Sequence, residues 1–179
     1  MIYGDRIRLR ADERADLPRF VEFLNDPEVL DGISNDLPQS QADEENWFEH
    51  MLKLPREEHP FAIDARTEDG GWKLIGNCGF FDFNWRGRLA EVGIFIGDKA
   101  YWNQGYGTKV MRLLLKVGFE KFNLNRIYLR VYATNLRAIR CYEKAGFIAE
   151  GRQREAGFKN GQYVDFIMMS VLRSEYPGL

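Results

Sequence analysis

Apolar and polar positions alternate at the start of the chain: between Arg6 and Arg10 basic residues flank Ile7 and Leu9, the period of a half-buried strand. The period then changes. Leu17, Phe20, Val21 and Leu24 recur at helical spacing behind Asp16, a residue that can cap a helix. Asn25-Asp26-Pro27 ends that stretch, because the residue before a proline is driven out of helical geometry. Residues 27–39 read as loop, and 41–54 as a second helix with Trp47, Met51 and Leu54 on one side and Pro55 behind it. Strands are predicted over 61–66, 72–83 and 89–96, with turns at Glu68-Asp69-Gly70-Gly71 and Asn84-Trp85-Arg86-Gly87. Beyond Gly105-Tyr106-Gly107 comes a strongly apolar helix carrying Val110, Met111, Leu114, Leu115 and Val117. A strand over 127–132 follows, then a short helix over 135–144 stopped by Gly146. Strands over 147–150 and 163–172, with a turn near Lys159-Asn160-Gly161, close the chain. The order β-α-α-β-β-β-α-β-α-β-β predicts an α/β (α+β) fold: one mixed, mostly antiparallel seven-stranded sheet with helices on both faces. No repeat, low-complexity tract or linker interrupts it, so residues 1–175 read as a single domain and 176–179 as a C-terminal tail.

Composition narrows the class. The chain has 179 residues, 45% of them apolar, with 13 Phe, 8 Tyr and 4 Trp to fill a core, which excludes a disordered chain. No apolar run approaches the ~18 residues of a membrane span. The first six residues lack a hydrophobic signal region, so a cytoplasmic protein is expected. Cys78 and Cys141 stand far apart with no Cys-x-x-Cys, as reduced thiols do. With His50 and His59 as the two histidines, expected at surface or capping positions, neither a zinc site nor a Ser-His-Asp triad is anticipated, and no metal is expected.

Charge is uneven. Residues 1–59 carry 15 Asp/Glu against 7 Lys/Arg, a net of −8, whereas 99–159 carry 13 basic and 4 acidic residues, a net of +9. Such a chain can attract ligands of both signs to neighbouring places. Nucleic acid is a poor partner, because no basic block is interleaved with base-stacking aromatics.

Trp102-Asn103-Gln104-Gly105-Tyr106-Gly107-Thr108 lies between a predicted strand and a predicted helix. Glycines there allow close backbone approach, and the following helix presents free N–H groups and a positive dipole end, which together suit a phosphate. The third glycine of a dinucleotide fingerprint is replaced by Val110, and the Gly-Lys-Ser/Thr of a P-loop is absent.

This turn resembles the Arg/Gln-x-x-Gly-x-Gly/Ala signature of the GNAT acyltransferases, with Gly105 and Gly107 matching and Trp102 standing where Arg or Gln is usual. Residues 135–147, Asn135-Leu136-Arg137-Ala138 through Tyr142 to Ala145-Gly146-Phe147, resemble the second signature of that family. Ala90-Glu91-Val92-Gly93 and Asn160-Gly161-Gln162-Tyr163-Val164-Asp165 are similar to the subgroup of ribosomal-protein N-terminal and spermidine acetyltransferases.

The resemblance implies a GNAT-like domain and acetyl-CoA as co-substrate, with a primary amine, either a small molecule or a peptide N-terminus, as acceptor, by direct attack in a ternary complex. It implies that strands 89–96 and 127–132 splay apart to admit the pantetheine, which would bond backbone groups at Phe95 and Ile96. Asn103, Gln104, Gly105, Tyr106, Gly107 and Thr108 would hold the diphosphate, and Asn135 the pantetheine arm while capping its helix. Tyr142 would be the proton donor to the departing thiolate, since a phenol stays protonated at neutral pH. Glu91 would be the base for the amine, directly or through water; on a pleated strand it shares a face with Gly93 and Phe95. Cys78 is expected to be buried and inert. Acceptor selection is expected from the two N-terminal helices, the 27–39 loop and the Trp85-Arg86 turn, with Glu28, Asp31, Asp36, Glu44 and Glu45 available to attract a cation. The subgroup likeness is compatible with a homodimer. The competing reading is a non-catalytic coenzyme A-binding sensor or assembly factor.

Overall fold

The N-terminal alternation yields two strands: β1 (Ile2–Tyr3) folds back antiparallel on β2 (Ile7–Ala11) through a turn in which Arg6 adopts φ 59°. This computed structural model describes residues 1–178. The elements that follow are α1 (Leu17–Phe23), α2 (Pro27–Leu30), α3 (Gln41–Met51), β3 (Phe61–Arg66), β4 (Trp72–Asn84), β5 (Leu89–Ile96), α4 (Tyr106–Lys116), β6 (Arg126–Tyr132), α5 (Leu136–Ala145), β7 (Ile148–Lys159) and β8 (Gln162–Leu172). The strands form one sheet in the order β1-β2-β3-β4-β5-β6-β8-β7, mixed and mostly antiparallel as expected, with eight strands instead of seven because of β1. Its one parallel pair is β5 with β6.

Strand alternation sends side chains to two cores. On one face Ile7, Leu9, Ile63 and Val92 meet Val110, Met111 and Leu114 of α4. On the other, Ala62 and Phe95 meet Leu17, Phe20 and Phe23 of α1 and Phe48 and Met51 of α3. Ser40 caps α3 in a reciprocal box with Asp43, and Pro27 opens the single turn of α2 inside the segment read as loop. β7 runs nine residues past the predicted end at Glu150; it is exposed almost throughout, so no apolar period announces it. Tyr176, expected in the tail, packs on Phe119 with ring centroids 5.1 Å apart and donates its hydroxyl to Glu120. The last tail residue, Leu179, lies outside the described residues.

Candidate active site

The glycine turn works through two different constraints. Gly105 caps α4 with φ 82°, a conformation that side chains disfavour. Gly107 is required by packing: a Cβ there would sit 2.9 Å from the Cys141 sulfur of α5. The first intrahelical bond of α4 runs from Lys109 N–H to the Gly105 carbonyl, so the N–H groups of Tyr106, Gly107 and Thr108 precede it at the positive end of the helix dipole.

That end faces a gap in the sheet. β5 and β6 pair only at Leu89–Arg126, Ala90–Ile127 and Glu91–Tyr128, and then separate. Beyond Glu91, β5 is bonded on its β4 side alone. Ile96 presents its carbonyl to the gap, where it accepts the Trp102 indole N–H at 2.7 Å. The Phe95 carbonyl is turned the other way, toward β4, where it would lie 2.1 Å from a Cβ on Gly76. Because backbone groups alternate along a strand, Ile94 and not Phe95 shares the gap edge with Ile96.

A cleft of about 370 Å³ fills the gap, lined by Ile94, Phe95, Ile96, Asn103, Gly105, Tyr106, Gly107, Thr108, Asn135 and Tyr142. Of the residues expected at the cofactor, Gln104 alone is missing from this lining; its amide is tied back to the Ala100 carbonyl. Asn135 is the N-cap of α5, its oxygen accepting from Ala138 N–H at 3.1 Å. Arg137, Arg140 and Lys144 also line the cleft, and among the described residues none of them has a carboxylate within ion-pair distance. The sequence signal for them was their i, i+3, i+7 spacing, which puts three cations on one helix face. Arg137 lies 3.6 Å over the Trp102 ring; burial there lowers its pKa from the usual 12.5, but a guanidinium remains charged. Free amides, an open strand edge and uncompensated cations fit a polyanion with an amide-bearing arm, which is the chemistry of coenzyme A.

A second cleft, about 640 Å³, lies on the other side of the gap. Ile94, Phe95 and Tyr142 line both. The Tyr142 hydroxyl makes no hydrogen bond among the described residues and is not sealed from solvent, so it is free at the junction. Burial of the ring, with the Cys141 thiol beside it, pushes its pKa above the ordinary 10.0 and keeps the phenol protonated. Glu91 opens onto the second cleft but is only 4% exposed, and both its oxygens accept from Arg130, at 2.8 and 3.0 Å. Such a bidentate guanidinium pair fixes the orientation of the carboxylate. Gly32, Ile33, Ser34 and Asn35 of the 27–39 loop and Trp47, His50 and Met51 of α3 form the outer wall. The Trp85-Arg86 turn is absent from it; Trp85 stacks on Phe83 at 4.7 Å. His59 bonds the Leu54 carbonyl, a capping role, whereas His50 borders the cleft. Cys78 is buried, which raises its thiol pKa and leaves it unreactive. Among the described residues no metal-binding cluster exists and no helix is long and apolar enough to cross a membrane.

A sheet split beside a glycine-capped helix, with one cleft for a polyanionic carrier and one for an acceptor, defines a coenzyme A-dependent acyltransferase. The family model described as "Acetyltransferase (GNAT) domain" matches residues 6–148, and the chain belongs to this family. It is 32% identical over 173 residues to spermidine N(1)-acetyltransferase of Vibrio cholerae, covering 97% of this chain and 96% of that protein. It is 30% identical over 179 residues to an uncharacterized N-acetyltransferase, p20, of Bacillus licheniformis, covering 99% and 98%. The crystal structure of a Vibrio cholerae spermidine N-acetyltransferase in complex with CoA and spermine superposes with a TM-score of 0.87 at 27% identity, covering 98% of this chain and 100% of that one. The protein is an acetyl-CoA-dependent N-acetyltransferase, and the non-catalytic alternative is not favoured.

Proposed function

We propose that the acceptor is a small amine, cationic in solution, whose neutral form attacks the acetyl thioester directly while both substrates are bound, and that Tyr142 donates the proton to the departing sulfur. The observation that carries this reading is the meeting of the two clefts at Tyr142, which lines both. Acetyl-CoA supplies an activated thioester; the chain supplies the rest. The amides of 106–108 with Arg137, Arg140 and Lys144 bind the phosphates. Ile94 and Ile96 backbone groups and Asn135 hold the amide-bearing arm. Glu91, already paired with Arg130, uses its remaining lone pairs to accept a hydrogen bond from the attacking amine and, directly or through water, to receive the proton the nitrogen sheds as the C–N bond forms and the C–S bond breaks. The similarity to acetyltransferases whose names specify spermidine supports an amine of the polyamine class. A cytoplasmic setting accords with two unpaired cysteines, and the homodimer suggested by the family likeness would show as twice 20.9 kDa in light scattering.

Thiol release from acetyl-CoA across polyamines, ribosomal-protein N-terminal peptides and aminoglycosides tests the acceptor. Tyr142→Phe should cut kcat about a hundredfold or more, in the range of a lost general acid, with CoA affinity nearly unchanged. Equal losses of rate and affinity would reduce Tyr142 to a packing contact.

A further inference from the structure

We propose that a side chamber of the acceptor cleft, lined by the buried carboxylate of Glu44, binds a second ammonium group of the acceptor and so selects aliphatic diamines and polyamines over monoamines. This rests on the acetyl-transfer reading only for what happens at the other end of the acceptor.

The chamber is about 320 Å³ and opens off the acceptor cleft, with which it shares Asn35, Trp47, Asn77 and Phe95. Glu44 lines it and is 4% exposed. Position 44 faces inward because it continues the stripe of Phe48 and Met51 on α3, at i−4 and i−7. The other acids near this end of the protein are accounted for. Glu28 pairs with Lys99 and Asp36 with Lys159, Asp31 accepts from Asn160, and Glu45 is exposed beside Gln41. Glu44 has no cation within ion-pair distance among the described residues; the Gln39 amide is its one favourable polar neighbour, and burial raises its pKa. A buried carboxylate without a counter-charge is costly, and a cationic ligand would remove that cost.

The chamber's other groups specify which cation. Asn77 donates its amide to both oxygens of buried Asp12, at 3.0 and 2.8 Å. The Asn77 nitrogen faces both Asp12 oxygens, so the Asn77 oxygen is turned away from Asp12 and remains an acceptor. Carboxylate and amide oxygens suit the three N–H donors of an alkylammonium. Phe20, Trp47 and Phe95 supply aromatic walls, good for methylene groups and for cation–π contact. A hard metal ion would need a fuller oxygen shell than one carboxylate and a few amides.

The test compares 1,3-diaminopropane, 1,4-diaminobutane, 1,5-diaminopentane and spermidine with propylamine, butylamine and pentylamine as acceptors for the full-length protein, read by thiol release. In the wild type the best diamine should exceed its matched monoamine in kcat/KM by roughly ten- to a hundredfold, chiefly through KM, as befits one charged hydrogen-bonded contact. Glu44→Gln should erase most of that ratio. Trp47→Leu, which keeps the carboxylate, should reduce it several-fold. A wild type without the preference, or a preference surviving Glu44→Gln, overturns the subsite while leaving acetyl transfer intact. Should no amine be acetylated, calorimetry with the diamines on CoA-loaded protein decides. Binding weakened by Glu44→Gln upholds the subsite though the transfer reading has failed, and absence of diamine binding overturns it.

Discussion

Asp12 stores a pH-dependent penalty whose size follows from its position. It is 7% exposed, and burial pushes its pKa from the ordinary 3.8 up to about 7, against the lowering effect of its bonds from Asn77; Asp16 and Glu44 add repulsion and Arg10 attraction. The folded protein therefore keeps a proton on Asp12 at pH values where the unfolded chain has released it. Stability from this group is full below about pH 4, falls as pH rises toward about 7, and is flat above that. A gap of about three pH units at about 1.4 kcal/mol each sets an upper bound of roughly 4 kcal/mol. Asp12→Asn removes the charge and retains amide pairing with Asn77, so it should stabilise the protein at pH 8 by roughly 2 to 4 kcal/mol. For a domain of this length that corresponds to about 5 to 10 °C in Tm. Thermal melts of both proteins at pH 5 and pH 8 are the assay: the variant's advantage should be roughly 2 kcal/mol smaller at pH 5, where only about one of the three units of the gap has been crossed, than at pH 8. The same difference at both pH values, or a variant less stable at pH 8, would refute the reasoning.

Arg137→Ala should weaken CoA binding about tenfold and reduce its sensitivity to ionic strength, because it deletes an exposed cation beside the cleft; calorimetry at two salt concentrations reads both, and an unchanged affinity would remove Arg137 from the phosphate site. Lys159 is only 8% exposed and donates to the Ile33 and Asn35 carbonyls and to Asp36, pinning the segment that walls the acceptor cleft. Lys159→Met should raise the amine KM several-fold and cost roughly 1 to 3 kcal/mol of stability, with CoA affinity preserved; a change confined to CoA affinity would contradict that assignment.

The parts of the protein that could be read from the chain are those whose side chains face a core. The α4 stripe of Val110, Met111 and Leu114 was visible because that helix is apolar on its buried side. β7 was cut short because Arg152, Arg154 and their neighbours are exposed and its pairing is broken by irregularities between Ala149 and Gly151 and between Gln153 and Gly157. At the site, Gly105 and Asn135 were legible from local backbone needs. Arg137 and Arg140 were not singled out, since nothing in composition tells an uncompensated cation from a paired one. Glu91 was named as a candidate, but its clasp by Arg130 joins two strands 39 positions apart and no local pattern carries it. Glu44 was one of five acids offered to a cation, and nothing in the chain singled it out; its burial beside Phe48 and Met51 does.

The early parting of β5 from β6 leaves a sheet margin inside the molecule, where margins normally lie outside. Water can hydrate such a slot, but something shaped like a short peptide completes it, because donors and acceptors repeat along it at strand spacing. Adenosine diphosphate alone would satisfy the helix end and leave the slot wet. The backbone itself would thus favour the whole carrier over its nucleotide fragment.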